Sequence, residues 1–516
     1  MNKALQLIAI FCVCLLNTSC QQSSSELLPE FPHIDLMITN GKVIDGLGNK
    51  AISADILIVG DKIVFIGKSK LDEDEIKSRV KVVIDAKGRV VTPGFIDLHT
   101  HGSPLKTPKF ENFLAMGITT ITLGQDGDSP ELINLYGWLE KIEEKGVSLN
   151  IAMFIGHGTL RTLSGINRSR VPTENNLHRM LNILDETLKY TFGLSTGLEY
   201  NPGLNAQADE MKALAQIVGK NNRMIMSHVR NEDDDQLEAS FQELFAQGQY
   251  ARVHVSHLKS VYGKGTQRAE EILTLLSDAR DLGIKLSADI YPYNASYAGV
   301  SLLFPVWAKT TEQFDIALVE RRAELEMFLR NKIEKRNGPD ATLFGTSPYT
   351  GKTLAQLSQE MEIPYEQVLI KIGPKGASGA YFIMNDQLQA RMIIDPAVSI
   401  SSDGRLEGFH PRGHGAFAKI IDEYVNKRGV LSLPEAIRKM TSQSAKILGI
   451  NDRGVLKVGN KADILIFDPK RIKATASYDS PHQLAQGFDV VIVNGKVARQ
   501  DNLMTNQLWG KILRPH

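Results

Sequence analysis

The feature that most constrains this chain is a series of eight short apolar runs, at 94–98, 118–123, 149–155, 192–195, 224–227, 253–256, 285–290 and 398–401. Helix-like stretches, for example 131–145, 175–190, 206–220 and 234–247, separate most of them. Strands of this length alternating with helices predict an α/β fold, a (β/α)8 TIM-like barrel; a doubly wound sheet is the alternative. The gap of about a hundred residues before the last strand is too long for a bare loop and predicts an insertion with helices of its own, at about 294–396.

The flanks have a different texture. Residues 34–90 break into short β segments at Asn40-Gly41, Gly46, Gly48 and Gly60-Asp61, and similar segments return at 463–467 and 490–493. "ITNGKVIDG" near the start is echoed by "IVNGKVARQ" near the end. The expected organisation is one small β-sandwich built from both chain ends, 34–91 and 449–500. It flanks a barrel at 92–448, and 501–516 are left as a tail. Hydrophobic residues are 42% and charged residues 23% of the 516, which excludes a mostly disordered chain. Lys+Arg and Asp+Glu are both 59, so general nucleic-acid binding lacks its electrostatic drive.

The first twenty residues read as an address. Lys3 precedes an almost wholly apolar stretch, and Asn17-Thr18-Ser19-Cys20 leads into a Ser/Gln-rich run. It is too short for a membrane anchor and has the layout of a secretory signal peptide. Small residues before Cys20 resemble a bacterial lipoprotein processing site, although Asn17 stands where Leu is usual. Residues 1–20 are thus expected to be a lipoprotein-type signal, Cys20 the lipidated residue and 21–33 a linker. The product would be exported to the periplasm or cell envelope, touching membrane only through its lipid. Cys12, Cys14 and Cys20 are the chain's three cysteines, so the expected mature barrel has no thiolate ligand.

Barrel enzymes place their chemistry at the C-terminal ends of strands. Reading off those ends gives His99-Thr100-His101, Asp126, His157, Glu199-Tyr200, His228, His257-Leu258-Lys259, Tyr291 and Asp403. His99 and His101, two apart on a strand, point the same way. Imidazole and carboxylate groups together suit Zn²⁺ or a similar divalent ion, one or two per chain. Glu199 is the reserve carboxylate ligand. Lys259 and Arg412 are cations suited to a substrate carboxylate, Arg412 through a bidentate fork, unless barrel carboxylates already pair them.

These residues sit in recognisable segments. "VTPGFIDLHTHG" (91–102) and "RGVLKVGNKADILIFDP" (453–469) resemble the amidohydrolase superfamily. "GHGTLR", "GLSTGLEYNPG", "SHVRNED", "VSHLK", "SSDG" and "HPRGHGAF" resemble more narrowly the N-acyl-D-amino-acid deacylases, or D-aminoacylases. The resemblance spans about 34–498. It implies a tightly held zinc at His228 and His257, a second metal at His99 and His101, and a catalytic aspartate at Asp403. It further implies substrate contacts from Tyr200, Tyr291 and Ser296. One departure stands out: the family's "GNCG" is "GQDG" here, so Asp126 replaces a metal-binding cysteine. The implied activity is metal-dependent hydrolysis of a linear amide, an N-acyl-D-amino acid giving a carboxylate and a D-amino acid. The alternatives are a dipeptidase for D-residue or β-linked dipeptides, a cyclic-amide hydrolase, and a surface lipoprotein that binds ligand without turnover.

Overall fold

The computed structural model describes residues 31–505 and 507–515. Its centre is a ring of parallel strands: Phe95–Asp97, Ile118–Leu123, Asn150–Met153, Gly193–Gly197, Met224–His228, Arg252–Val255, Leu286–Ile290 and Val398–Ile400. Each lies within about two residues of an expected run. The third resumes as Ile155–Gly156 after Phe154, whose N–H bonds Leu123 O at 2.8 Å. Pairing is parallel throughout, and a bridge between Thr100 and Gly404 closes the eighth strand onto the first. The chain is a TIM-barrel-like fold with an auxiliary β-sheet.

Strands covered on both faces must be apolar outward and hydrogen-bonded inward. Every residue of Ile118–Leu123 and Met224–His228 is buried. Polar residues on these strands are satisfied: Thr122 Oγ1 donates to Leu98 O at 2.5 Å, and Thr196 Oγ1 bonds Ser227 Oγ at 2.8 Å. Surrounding helices present one apolar stripe, as Leu135, Leu139 and Ile142 do in Leu135–Lys145. Fully burying each such side chain contributes about 1.5–3 kcal/mol.

The long connection before the eighth strand is a structured insertion. Ala295–Gly299, Ser378–Phe382 and Thr342–Phe344 form a three-stranded antiparallel sheet. Helices Arg322–Lys335 and Tyr365–Ile372 pack with it around Leu325, Leu329, Ile333, Phe344 and Val368. Its first strand begins four residues after Tyr291 and carries Ser296 to the barrel mouth.

Both chain ends meet in one nine-stranded sheet, joined where Val90–Pro93 pairs antiparallel with Ile464–Phe467. Ile38, Ile56, Ile464 and Ile492 share its core. The two Asn-Gly echoes differ in structure. Asn494 and Gly495, both at positive φ, turn a hairpin between Phe488–Val493 and Lys496–Gln500. Asn40-Gly41, expected to separate two strands, instead lies inside the single strand Leu36–Val43 as a register shift. Asn40 adopts φ 56° and its N–H bonds Asp55 Oδ1 on the neighbouring strand, which absorbs the extra residue as a bulge. Near the C-terminus, Leu503–Met504 extends the sheet, and Leu513 N–H bonds Ile151 O at 2.8 Å on the third barrel strand. Among the described residues no helix is long and apolar enough to cross a membrane. Cys20 lies outside the described residues.

Candidate metal centre and reaction cavity

The strand ends turn their side chains inward through local geometry written in the sequence. After the first strand, the N–H groups of His99 and Ser402 both donate to Asp97 Oδ1, at 3.2 and 3.0 Å, and His101 N–H donates to Gly404 O at 2.8 Å. Asp97 thus ties the first strand to the eighth, and burial pushes its carboxyl up to about 7. In the Gly-Gln-Asp-Gly turn, Gly124, Asp126 and Gly127 all have positive φ. A Cβ on Gly124 would stand 2.2 Å from Phe154 O, so the chain passes there only as glycine. Gly197 also has no room for a side chain, because its Cβ would meet Asp126 O at 2.0 Å. Asp126, His257 and Asp403 share left-handed backbone, at φ 55°, 37° and 48°. Non-glycine residues held this way are costly and concentrate at functional sites.

These turns bring all five proposed ligands and Asp403 together. Asp126 Oδ1 is 3.2 Å from both His99 Nε2 and His257 Nε2, and 3.9 Å from His228 Nδ1. Its Oδ2 is 3.4 Å from His101 Nε2. Asp403 Oδ1 lies 3.3 Å from His101 Nε2 and 3.8 Å from His99 Nε2. Three donor sets result among the described residues: His99, His101, Asp126 and Asp403; Asp126, His228 and His257; and Glu199, His228 and Glu232, with Asp126 common to the first two. This is the layout of one or two divalent ions sharing a carboxylate. The fit is tested by the nitrogens. His228 Nδ1 and His257 Nε2 face each other at 3.1 Å, and buried His99 forms no hydrogen bond through either ring nitrogen among the described residues. Lone pairs converging in this way suit a cation. Burial alone would raise the Asp126 carboxyl, but His99 and His257 hold it well below the usual carboxylate range, so it carries a negative charge.

The outer histidine nitrogens are also engaged. Glu199 Oε2 is 3.2 Å from His228 Nε2, the nitrogen turned away from Asp126 and His257. Glu232 Oε1 is 3.2 Å from His257 Nδ1. Glu199, the reserve ligand, therefore stands behind His228, where a carboxylate fixes the ring's tautomer and orientation. Asp289 performs the backbone equivalent for His257: its Oδ1 accepts from His257 N–H at 2.8 Å and from Ser401 Oγ at 2.7 Å. Its Oδ2 is 2.7 Å from His254 Nε2. Sequence reasoning missed Asp97, Glu232 and Asp289. For Asp289 the available signal was an acid inside the apolar run "KLSADI".

The proposed substrate residues gather beside the metal donors around a cavity of about 360 Å³, lined by Tyr200, Lys259, Ser296 and Arg412 with Asp126 and Asp403. The cations already have partners. Lys259 Nζ is 2.7 Å from Glu232 Oε1, and this carboxylate raises its pKa against the opposing effect of burial. Arg412 Nη1 is 2.7 Å from Asp403 Oδ2. Burial would raise the Asp403 carboxyl, but Arg412 and then His101 hold it well below the usual range. The Tyr291 ring lies between the two cations, 5.7 Å from Lys259 Nζ and 4.8 Å from the Arg412 guanidinium carbon. The hydroxyls of Tyr291 and Ser296 are buried without partners among the described residues. The Tyr200 ring sits 4.5 Å from that of His228. His157, another strand-end candidate, is directed elsewhere: its Nε2 is 2.7 Å from Glu210 Oε1, in a buried group with Arg161.

Comparison with known proteins agrees with this geometry. A family model described as "Amidohydrolase family" matches residues 384–499. An N-acyl-D-glutamate deacylase from Alcaligenes xylosoxydans xylosoxydans is 28% identical over 492 residues, covering 90% of this chain and 93% of its own. The N-acyl-D-aspartate deacylase of that organism is 29% identical over 509 residues, covering 93% and 95%. Among solved structures, the N-acyl-D-glutamate deacylase from Bordetella bronchiseptica, complexed with zinc and a phosphonate inhibitor, superposes with a TM-score of 0.81 at 26% identity, covering 93% of this chain and 100% of the other. With this barrel, these paired donor sets and relatives matched over nearly their whole length, the chain is similar to the D-aminoacylases (N-acyl-D-amino-acid deacylases) of the amidohydrolase superfamily.

Proposed function

We propose that this protein hydrolyses N-acyl-D-amino acids to a carboxylate and a D-amino acid, using one or two zinc-like ions. The observation that carries the reading is the pair of donor sets sharing Asp126, with Asp403 beside them in the cavity. The relatives' names supply the D-configuration. His228, His257 and Asp126 would hold one ion, and His99, His101 and Asp126 the other. A divalent ion bound there polarises the amide carbonyl and acidifies water.

The chain's own residues then do the following. Asp403, ionised because Arg412 and His101 favour its charge, accepts a proton from the attacking water. The new carbon–oxygen bond forms at the carbonyl carbon. Asp403 returns the proton to the amide nitrogen as the carbon–nitrogen bond breaks, and the amine leaves. Arg412, with the free hydroxyls of Tyr291 and Ser296, receives the substrate carboxylate. Sharing Arg412 between that carboxylate and Asp403 weakens its hold on Asp403, which raises the aspartate's basicity when substrate is bound. Lys259 reinforces this positive end while held by Glu232.

The zinc-loaded protein should hydrolyse N-acetyl-D-leucine and leave N-acetyl-L-leucine essentially untouched. Hydrolysis of the L-series alone, or of neither, overturns the reading. The signal-like segment supports export with Cys20 as a lipid anchor. Cys20→Ala should move the protein out of the membrane fraction or leave it unprocessed. A mature N-terminus without lipid would contradict this.

A further inference from the structure

The far end of the barrel holds a second, larger cavity of about 860 Å³. Met224, Arg252 and Leu286, which line it, are the first residues of the strands Met224–His228, Arg252–Val255 and Leu286–Ile290. His228 ends the first of these strands, roughly 13 Å away at the ordinary rise per residue, so the cavity is separate from the metal centre. Six cations line it: Arg252, Arg280, Lys285, Arg438, Lys446 and Arg453. No lining residue is a carboxylate. Two of the six are paired, Arg438 with Glu435 at 2.6 Å and Arg453 through Nη1 with Asp463. The buried Nε of Arg453 has no hydrogen-bond acceptor, only Asp452 Oδ1 at 3.9 Å.

The other four cations form no ion pair among the described residues, and they come from adjacent backbone. Arg252 Nη1 donates to Ile447 O, beside Lys446, and Arg280 Nε donates to Leu286 O, beside Lys285, both at 3.0 Å. Parallel pairing of Val253 with Leu286 holds the two sides together. One N–H of each guanidinium is thus spent on a carbonyl, and the rest remain as donors. Burial and then the charge of Arg223 hold the Arg252 pKa below its ordinary value. Burial does the same to Arg280, against the opposing charges of Asp395 and Asp281. Cations gathered in this way repel one another, and a bound anion relieves the repulsion. The remaining wall is largely apolar, through Met224, Ile284, Ile447 and Ile450 among others. Gln443 Oε1, a neutral acceptor without a partner, does not offset the charge.

We propose that this cavity binds a small organic anion with an apolar body, its acid group held among Arg252, Arg280, Lys285 and Lys446. A cavity of this volume is in the range of small-molecule sites. A bare inorganic anion would leave the apolar wall wet, and an uncharged apolar molecule would leave the cations without a counter-charge. The site lies apart from amide hydrolysis and does not rest on the deacylase reading.

The test is calorimetric titration of the zinc-loaded protein with octane-1-sulfonate below its micelle concentration, a probe whose sulfonate is a poor zinc ligand. Binding should saturate at one per chain and be at least about tenfold tighter than that of 1-octanol or of sodium sulfate, the scale of one charge-assisted hydrogen bond. Lys285→Gln with Lys446→Gln, at two exposed side chains with little bearing on folding, should weaken it by about the same factor while zinc content stays unchanged. Absence of saturable binding overturns the proposal. So does octanol or sulfate binding as tightly as the sulfonate, or an affinity unmoved in the double variant.

Discussion

Asp126 is the residue on which the two donor sets depend. Asp126→Ala should lower bound metal sharply, because it removes the one charged group common to both. Asp126→Cys should restore zinc while weakening a harder ion such as Mn²⁺, a difference that metal analysis after dialysis would resolve. An Asp126→Ala protein that keeps its metal would contradict the shared-ligand geometry. Behind the ligands, Glu199→Gln should weaken metal about 10–100-fold in chelator competition, the usual cost of losing a carboxylate behind a ligating histidine. Unchanged affinity would reduce Glu199 to a cavity wall. Asp403→Asn should lower kcat by about 10²–10⁴-fold, with most of the metal retained by the other ligands. Near-wild-type turnover would place the proton transfer elsewhere. The proposed ligands were legible because histidines at strand ends are uncommon punctuation in an apolar pattern. Their supports were not. Glu232 meets Lys259 across 27 positions of sequence, and Arg412 reaches Asp403 only because a turn folds them together. A solitary acid or base in a loop looks the same in sequence whether tertiary structure buries or solvates it.

At the scale of elements, the strand pattern was readable because parallel strands buried on both faces must be apolar runs. The bulge at Asn40 was not, since the same Asn-Gly dipeptide makes a hairpin turn at Asn494. The barrel's far end shows a cost that sequence also hides. Lys439 is fully buried in the helix Leu433–Met440 and donates to Asp395 O and Val398 O, where the eighth strand starts. Burial pushes its ammonium from 10.5 down to about 7. Between those values the unfolded chain binds more protons than the folded one, so this group's contribution to stability rises with pH. In Lys439→Met that slope should vanish. The wild-type Tm minus the variant's should grow from pH 7 toward pH 10, whatever its sign at the start. A difference flat in pH would mean that the two carbonyls keep Lys439 charged.

In the whole molecule, the two chain ends close one sheet against the barrel, and the insertion closes one side of its mouth. Residues 90–93 and 464–467 are partners in that sheet, so the ring of strands is clamped by segments far apart in sequence. Every proposed catalytic and binding group other than Ser296 and Arg412 comes from a barrel strand or the turn or loop after it, and Arg412 opens the helix Arg412–Lys419 that follows the eighth strand. Ser296, with the apolar wall of Ala298 and Leu302, comes from the insertion, which thereby sets what flanks the scissile bond. Metal dependence is the property on which this chemistry most directly turns. Protein stripped by a chelator should not turn over N-acetyl-D-leucine, and activity should return as zinc is added back, reaching its maximum within two equivalents per chain. Full activity in the stripped protein, with metal analysis confirming that none remains, would contradict it.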